Sequence, residues 1–169
     1  MSLRSFPPVA GRDARVLILG SMPGGESLRR RQYYAHPRNA FWPLMGMLFG
    51  FNPALSYPER LNALKRARVA LWDTLAGCER RGSLDSNIRE PEPNDITDLL
   101  RKCPGIHTVC CNGTASFGFL KKYHPALFGR PGLEILRLPS TSPAAALYSF
   151  EEKLTFWSIV KERTGITAE

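Results

Sequence analysis

Four short apolar runs, Arg15–Leu19, Val69–Trp72, Thr108–Cys111 and Glu134–Leu138, constrain this chain more than any other feature. Each is rich in Val, Leu or Ile and stops at polar or turn-forming residues, the pattern of strands buried on both faces. Between them lie segments with helical spacing. "AFWPLMGMLFG" and "YPERLNALKRAR" separate the first two runs, and "NDITDLLRKC", with Asn94 placed as its N-cap, precedes the third. "TASFGFLKKY" follows the third run, and "FEEKLTFWSIVKER" is an amphipathic helix near the end of the chain. Strands alternating with helices predict a doubly wound α/β sandwich around a mainly parallel sheet. A length of 169 residues suits one domain, residues 1–169, that needs neither disulfides nor metal to hold its core.

Three connections are too long and too polar to be simple links: "GSMPGGESLRRRQYYAHPRN", "DTLAGCERRGSLDSNIREPEPND" and "LPSTSPAAA". All three leave the carboxyl ends of predicted strands, so a parallel sheet gathers them along one rim, where open α/β sheets build their sites. The first imitates a phosphate-binding loop, with Gly20, Gly25 and Ser27 at the spacing of G-x-x-x-x-G-K-[ST]. Glu26 stands where that motif needs its lysine, and a carboxylate there repels a triphosphate, which excludes nucleotide hydrolysis.

The formal net charge is +8, and nearly all of the excess lies in residues 1–90, with 14 Lys/Arg against 7 Asp/Glu. A basic surface beside the glycine turn suits a polyanion as partner, although a solvated cationic face has the same composition. The run Arg29–Arg31 is open to both readings. No apolar stretch approaches the ~20 residues of a membrane span, and the first residues lack a signal-peptide core, so a cytoplasmic protein without membrane association is expected. Cys78, Cys103, Cys110 and Cys111 have no metal-ligand spacing, and the adjacent pair on a strand should point to opposite faces as small buried residues.

"GSMPG" after the first strand, "YYAHPRNAFW" after the next turn and "LPSTSP" after the last strand together resemble the uracil-DNA glycosylase superfamily, in particular its hypoxanthine-DNA glycosylase family. The likeness runs from about Arg15 to the last helix. It implies a three-layer α/β/α sandwich with a four-stranded, mainly parallel sheet. It also implies DNA containing deaminated bases as partner and monofunctional hydrolysis of the N-glycosidic bond, most naturally that of hypoxanthine. No metal or organic cofactor is implied, and a monomer is expected. Two rivals stay open: a glycosylase for mismatched uracil or thymine, and a non-catalytic module that binds damaged DNA.

The resemblance also assigns residues. Met22 stands where most branches carry a water-orienting Asp or Asn, and Ser140 and Thr141 precede Ser142 where a His or Asn is usual; both weigh against ordinary uracil excision. Asn39 of "HPRN" takes over the water-orienting role, while read locally it is a helix N-cap. Tyr34 matches the aromatic that stacks on the extruded base, with Tyr33 beside it as a competitor and one of the pair open to reading as a core aromatic. Backbone N–H groups of Ser21, Met22 and Gly24 face the departing base. Asp73 and Asn112, at strand ends, read its edge, or else cap their own loops. Ser140, Thr141, Ser142 and Arg38 contact the DNA backbone.

Overall fold

The computed structural model describes residues 2–166. Its central sheet holds the four expected strands, β2 (Val16–Gly20), β3 (Val69–Asp73), β6 (Thr108–Asn112) and β7 (Glu134–Leu138); the short N-terminal strand β1 (Ser2–Arg4) precedes them, and the antiparallel strands β4 (Leu75–Glu79) and β5 (Arg89–Pro93) lie between β3 and β6 in the chain. The order is β3-β2-β6-β7, and every neighbouring pair is parallel. Three of the four strands run one residue beyond the apolar run that announces them. Those extra residues are Gly20, Asp73 and Asn112.

Alternation along the strands feeds two cores. Val16, Ile18 and Cys110 face one side, against α2 (Phe41–Phe49), α3 (Tyr57–Arg66) and α6 (Phe150–Thr164). Leu17, Leu19, Val109 and Cys111 face the other, against α4 (Ile96–Lys102) and α5 (Thr114–Tyr123). Helices on both faces of a parallel sheet complete the three layers. The two adjacent cysteines do part to opposite faces as free buried thiols, and burial pushes both up to about 12. The longest helix, α6, starts with a capping box in which Ser149 and Glu152 serve each other's backbone. Asn94 is not the cap of α4; Asp95 is, accepting from the Asp98 amide at 3.0 Å, and Asn94 instead ties its side-chain amide to the Asp73 carbonyl.

One connection read as a rim loop is largely a second sheet, ordered β1-β4-β5 and antiparallel. β5 reads Arg-Glu-Pro-Glu-Pro, with no apolar alternation, and its two prolines are tolerated because the strand lies at an edge. The tip between β4 and β5 ends in a 3-10 turn, Asp85–Asn87, folded back toward the rim of the main sheet. A short helix, α1 (Gly25–Arg30), occupies the start of the first long connection. No helix among the described residues is long and apolar enough to cross a membrane.

Candidate active site

The chain reverses direction across the sheet between β2 and β6, since β2 connects outward to β3 and β6 to β7. A crevice opens at the carboxyl ends of strands at such a switch point. Here it is a cavity of about 330 Å³. Gly20, Asp73 and Asn112, the last residues of β2, β3 and β6, lie at its base, and Gly20 and Asp73 are register partners.

Gly20 is there because nothing larger fits. A Cβ on it would lie 2.4 Å from Asp73 Oδ1 and 3.2 Å from the Tyr34 hydroxyl. Asp73 is 3% exposed, its Oδ2 has no hydrogen-bond partner, and the same is true of the Tyr34 hydroxyl. Burial, reinforced by Asp85, pushes the Asp73 carboxyl up to about 7. Burial beside Asp73 likewise pushes the Tyr34 phenol up. Tyr34 has a left-handed backbone, φ 55°, and its ring stacks on Phe41 with centroids 4.0 Å apart. A strained conformation held by the surrounding packing is typical of a residue placed for function. Tyr33 is instead a core residue, its hydroxyl donating to Pro7 O and its carbonyl accepting from Trp42 Nε1.

Asn39 lines the cavity from the residue before Ala40, the N-cap of α2. Its Oδ1 accepts the Phe41 amide at 2.9 Å. Asn39 is therefore not the N-cap of α2 but lies one residue before it, and the bond to the Phe41 amide fixes the rotamer that brings its side chain to the cavity. Asn112 spends its side chain on the last loop. Its Nδ2 donates to Thr141 Oγ1 and its Oδ1 accepts the Thr141 amide, both at 3.0 Å. It does not cap α5, whose N-cap is Gly113. Gly113 is itself required, with φ at +93° and Ser140 Cβ 3.1 Å from where its own Cβ would stand.

Several expectations change in detail. Thr141 is 1% exposed, and its hydroxyl is held by Asn112, so it braces the loop rather than reaching DNA. Met22 borders the cavity, but its side chain packs with Leu75, Cys78 and Ile88, leaving its backbone as the part that can face a base. The Ser21 hydroxyl donates to Asp85 Oδ1 at 2.7 Å. Gly24 caps α1, and the Gly25 amide goes to Ser83 Oγ at 2.9 Å. Ser140 and Ser142 line the cavity mouth, and Arg38 is exposed outside it, its amide donating to His36 Nδ1. Arg29 and Arg30 both bond Glu26, which lowers that carboxyl, so two of the three consecutive arginines answer a local acid.

Ser83 and Asp85 were not expected at the site, because they belong to the tip of the β4–β5 hairpin. A polar, glycine-containing tip, "RRGSLDSN", at the same strand edge was the available signal. Carboxyls from Glu26, Asp73 and Asp85 line the cavity, and no Lys or Arg does among the described residues. Nor do three or more His, Cys, Asp and Glu side chains among those residues gather as a metal site.

The family model described as "Uracil DNA glycosylase superfamily" matches residues 7–162. The chain belongs to that superfamily. Among its relatives there, the "Hypoxanthine DNA glycosylase" of Methanosarcina acetivorans is 39% identical over 150 residues, 88% of this chain and 92% of the relative. That of Methanosarcina barkeri is 39% identical over 128 residues, 75% and 78% of the two chains. A solution NMR structure assigned as a uracil DNA glycosylase from Methanosarcina acetivorans superposes with a TM-score of 0.83 at 36% identity. It covers 98% of this chain and 100% of its own. The uracil DNA glycosylase fold thus accounts for both helical layers and for the rim where the three long connections meet.

Proposed function

We propose that this chain is a monofunctional DNA glycosylase that removes hypoxanthine from DNA. The observation that carries the reading is a convergence: Asn39 and Tyr34, from the stretch that bears the family likeness, open onto the same cavity as Asp73 and Asn112 from the strand ends. Relatives named for hypoxanthine cleavage span most of the chain and support the choice of base.

An enzyme acting on a base inside a duplex must first extrude it, and a mismatched hypoxanthine is cheaper to extrude than a paired base. Phosphates meet Arg38, Ser140 and Ser142 at the mouth, where such contacts fix register without reading sequence. The extruded base slides against Tyr34, whose far face already rests on Phe41. The C1′–N9 bond breaks with both electrons leaving on the base. Water, held by the second lone pair of Asn39 Oδ1, gives its oxygen to C1′, and its proton ends on the free base. An amide is no base at neutral pH, so Asn39 acts by orientation, and a late, oxocarbenium-like sugar needs no more. None of the three long connections carries a lysine, so the product is an abasic site in an unbroken strand.

A panel of duplexes with a single inosine, or with uracil or thymine in a mismatch, treated with alkali after incubation, tests this. Abasic sites in the inosine strands are expected. Cleavage confined to uracil or thymine reassigns the base, and binding without abasic sites makes the chain a damage-binding module.

A further inference from the structure

The Asp73 carboxyl is one of three buried side-chain groups among the described residues that hold a polar atom without a partner, with the Tyr34 hydroxyl and the Arg80 guanidinium. Asp73 is 3% exposed, its Oδ2 bonds nothing, and the backbone of Gly20 has been stripped of a Cβ to make room for it. The charged groups that face it do not neutralise it. Arg80, from the loop after β4, gives Nε and Nη2 to the carbonyls of Gly82 and Pro23; its Nη1 is buried without a partner, and its charge opposes the rise of the Asp73 carboxyl without bonding it or cancelling the effects of burial and Asp85. Asp85 approaches from the 3-10 turn, Tyr33 and Tyr34 from the loop before α2, and Tyr57 from α3. Glu26 and His36 line the same cavity. A carboxylate buried without a bonded cation and beside a second carboxylate takes up a proton instead.

The proton suits the chemistry. Hypoxanthine carries a ring N–H next to a carbonyl, and negative charge gathers on that carbonyl as the base departs. A carboxylate facing it would oppose departure. A carboxylic acid presents an acceptor beside a donor, the same pair an amide offers, and so complements both atoms of the edge. A neutral acid kept in place to donate to a developing oxyanion is an established catalytic device.

We propose that Asp73 works as a neutral carboxylic acid, accepting from the ring N–H of the extruded base and donating to its adjacent carbonyl while the glycosidic bond breaks. Asp73 keeps its proton throughout; the base leaves with the bonding pair and is neutralised by the proton of the attacking water. The assignment rests on the glycosylase reading above and adds a requirement to it: activity needs a proton that ordinary aspartates have lost by neutral pH. With the carboxyl titrating at about 7, the working form is the one that disappears under mildly alkaline conditions.

Single-turnover excision of hypoxanthine from a mismatched duplex, followed from pH 6 to 8.5, tests this on the wild type, Asp73→Asn and Asp73→Ala. The wild-type rate is expected to fall above about pH 7, approaching tenfold per unit. Asp73→Asn, which carries the same acceptor and donor without a titrating proton, keeps activity within roughly tenfold of wild type and loses the alkaline fall. Asp73→Ala loses ~10²–10³-fold at every pH. A wild-type rate that is level or rises through this range overturns the assignment, as does an alkaline fall that Asp73→Asn shares. A folded Asp73→Asn as slow as Asp73→Ala also overturns it. No excision by the wild type at any pH overturns the glycosylase reading itself, an outcome distinct from excision with a flat profile.

Discussion

Asn112 and Thr141 hold each other by two hydrogen bonds of 3.0 Å, side-chain amide to hydroxyl and backbone amide to side-chain oxygen. The Thr141 carbonyl in turn accepts the Ala40 amide at 3.0 Å, next to Asn39. The end of β6, the last loop and the start of α2 are thereby locked into one piece. Asn112→Ala leaves buried polar groups of Thr141 without partners and is expected to cost ~1–3 kcal/mol in thermal or urea denaturation. It also lets the loop drift, with excision falling ~10-fold or more. In a double-mutant cycle with Thr141→Val, the coupling should be ~0.5–3 kcal/mol. Additive effects would mean that Asn112 serves the base alone.

Asn39→Ala separates support of the α2 start from chemistry. Single-turnover excision of hypoxanthine is expected to fall ~10²–10⁴-fold, the range for one lost orienting or electrostatic group. Stability should change by only ~1 kcal/mol, from the lost bond to the Phe41 amide. A lower melting temperature with near-normal excision would leave Asn39 as a helix-starting residue and nothing else.

Tyr34 divides into a ring and a hydroxyl. Tyr34→Phe deletes a buried hydroxyl that has no partner, so stability should hold or rise, and most excision should survive. Tyr34→Ala removes the stacking surface, worth ~1–3 kcal/mol per base, while affinity for undamaged duplex stays near wild type. Parallel losses in excision and in undamaged-duplex affinity would place the ring in the core alone.

Met22→Asn tests whether the superfamily's usual polar group can simply be put back. The side chain at this position is 6% exposed among Leu75, Cys78 and Ile88. An amide there is expected to cost ~1–3 kcal/mol, read by denaturation, without creating uracil excision. New activity toward uracil in a stably folded variant would show that the turn can reorient.

The raised Asp73 carboxyl also has a signature in stability. Between its ordinary value of 3.8 and about 7, the folded state binds a proton that the unfolded chain has released. Stability therefore declines as pH rises through that window, by up to ~1.4 kcal/mol per unit, and levels off above it. Subtracting the stability curve of Asp73→Asn from that of the wild type isolates this group from the other carboxyls.

The strands were legible because a parallel sheet covered on both faces writes itself as unbroken apolar runs. Their last residues were legible only in part: Asp73 and Asn112 stood out as strand-end residues, while Gly20 read as the first residue of a loop; all three extend the strands because their backbones continue the ladders. Asn39 and Tyr34 stood out through the likeness of "YYAHPRNAFW", which placed both at the cavity without revealing the left-handed backbone of Tyr34 or the Phe41 bond to Asn39. The hairpin was invisible for a different reason. β4 holds Gly77, where even a Cβ would crowd Leu3 O and Arg4, and β5 alternates charge with proline, so neither shows a period of two. Thr141 was misassigned because a hydroxyl on a rim looks the same in sequence whether it faces solvent or a neighbouring asparagine.

Ser83 and Asp85 reach the cavity from a ribbon whose other margin is Ser2–Arg4, paired with Gly77–Glu79. The mouth of the cavity is thus moored to residues some eighty positions upstream of its own wall, in a stretch that carries none of the recognisable signatures. Trimming the chain past Arg4 removes the strand paired with Gly77–Glu79 and is expected to loosen the Asp85–Ser21 and Ser83–Gly25 contacts, read as faster amide exchange at the hairpin tip, without touching a residue that lines the cavity. Preparations that differ at the amino terminus are therefore expected to differ in how firmly this wall of the cavity is held.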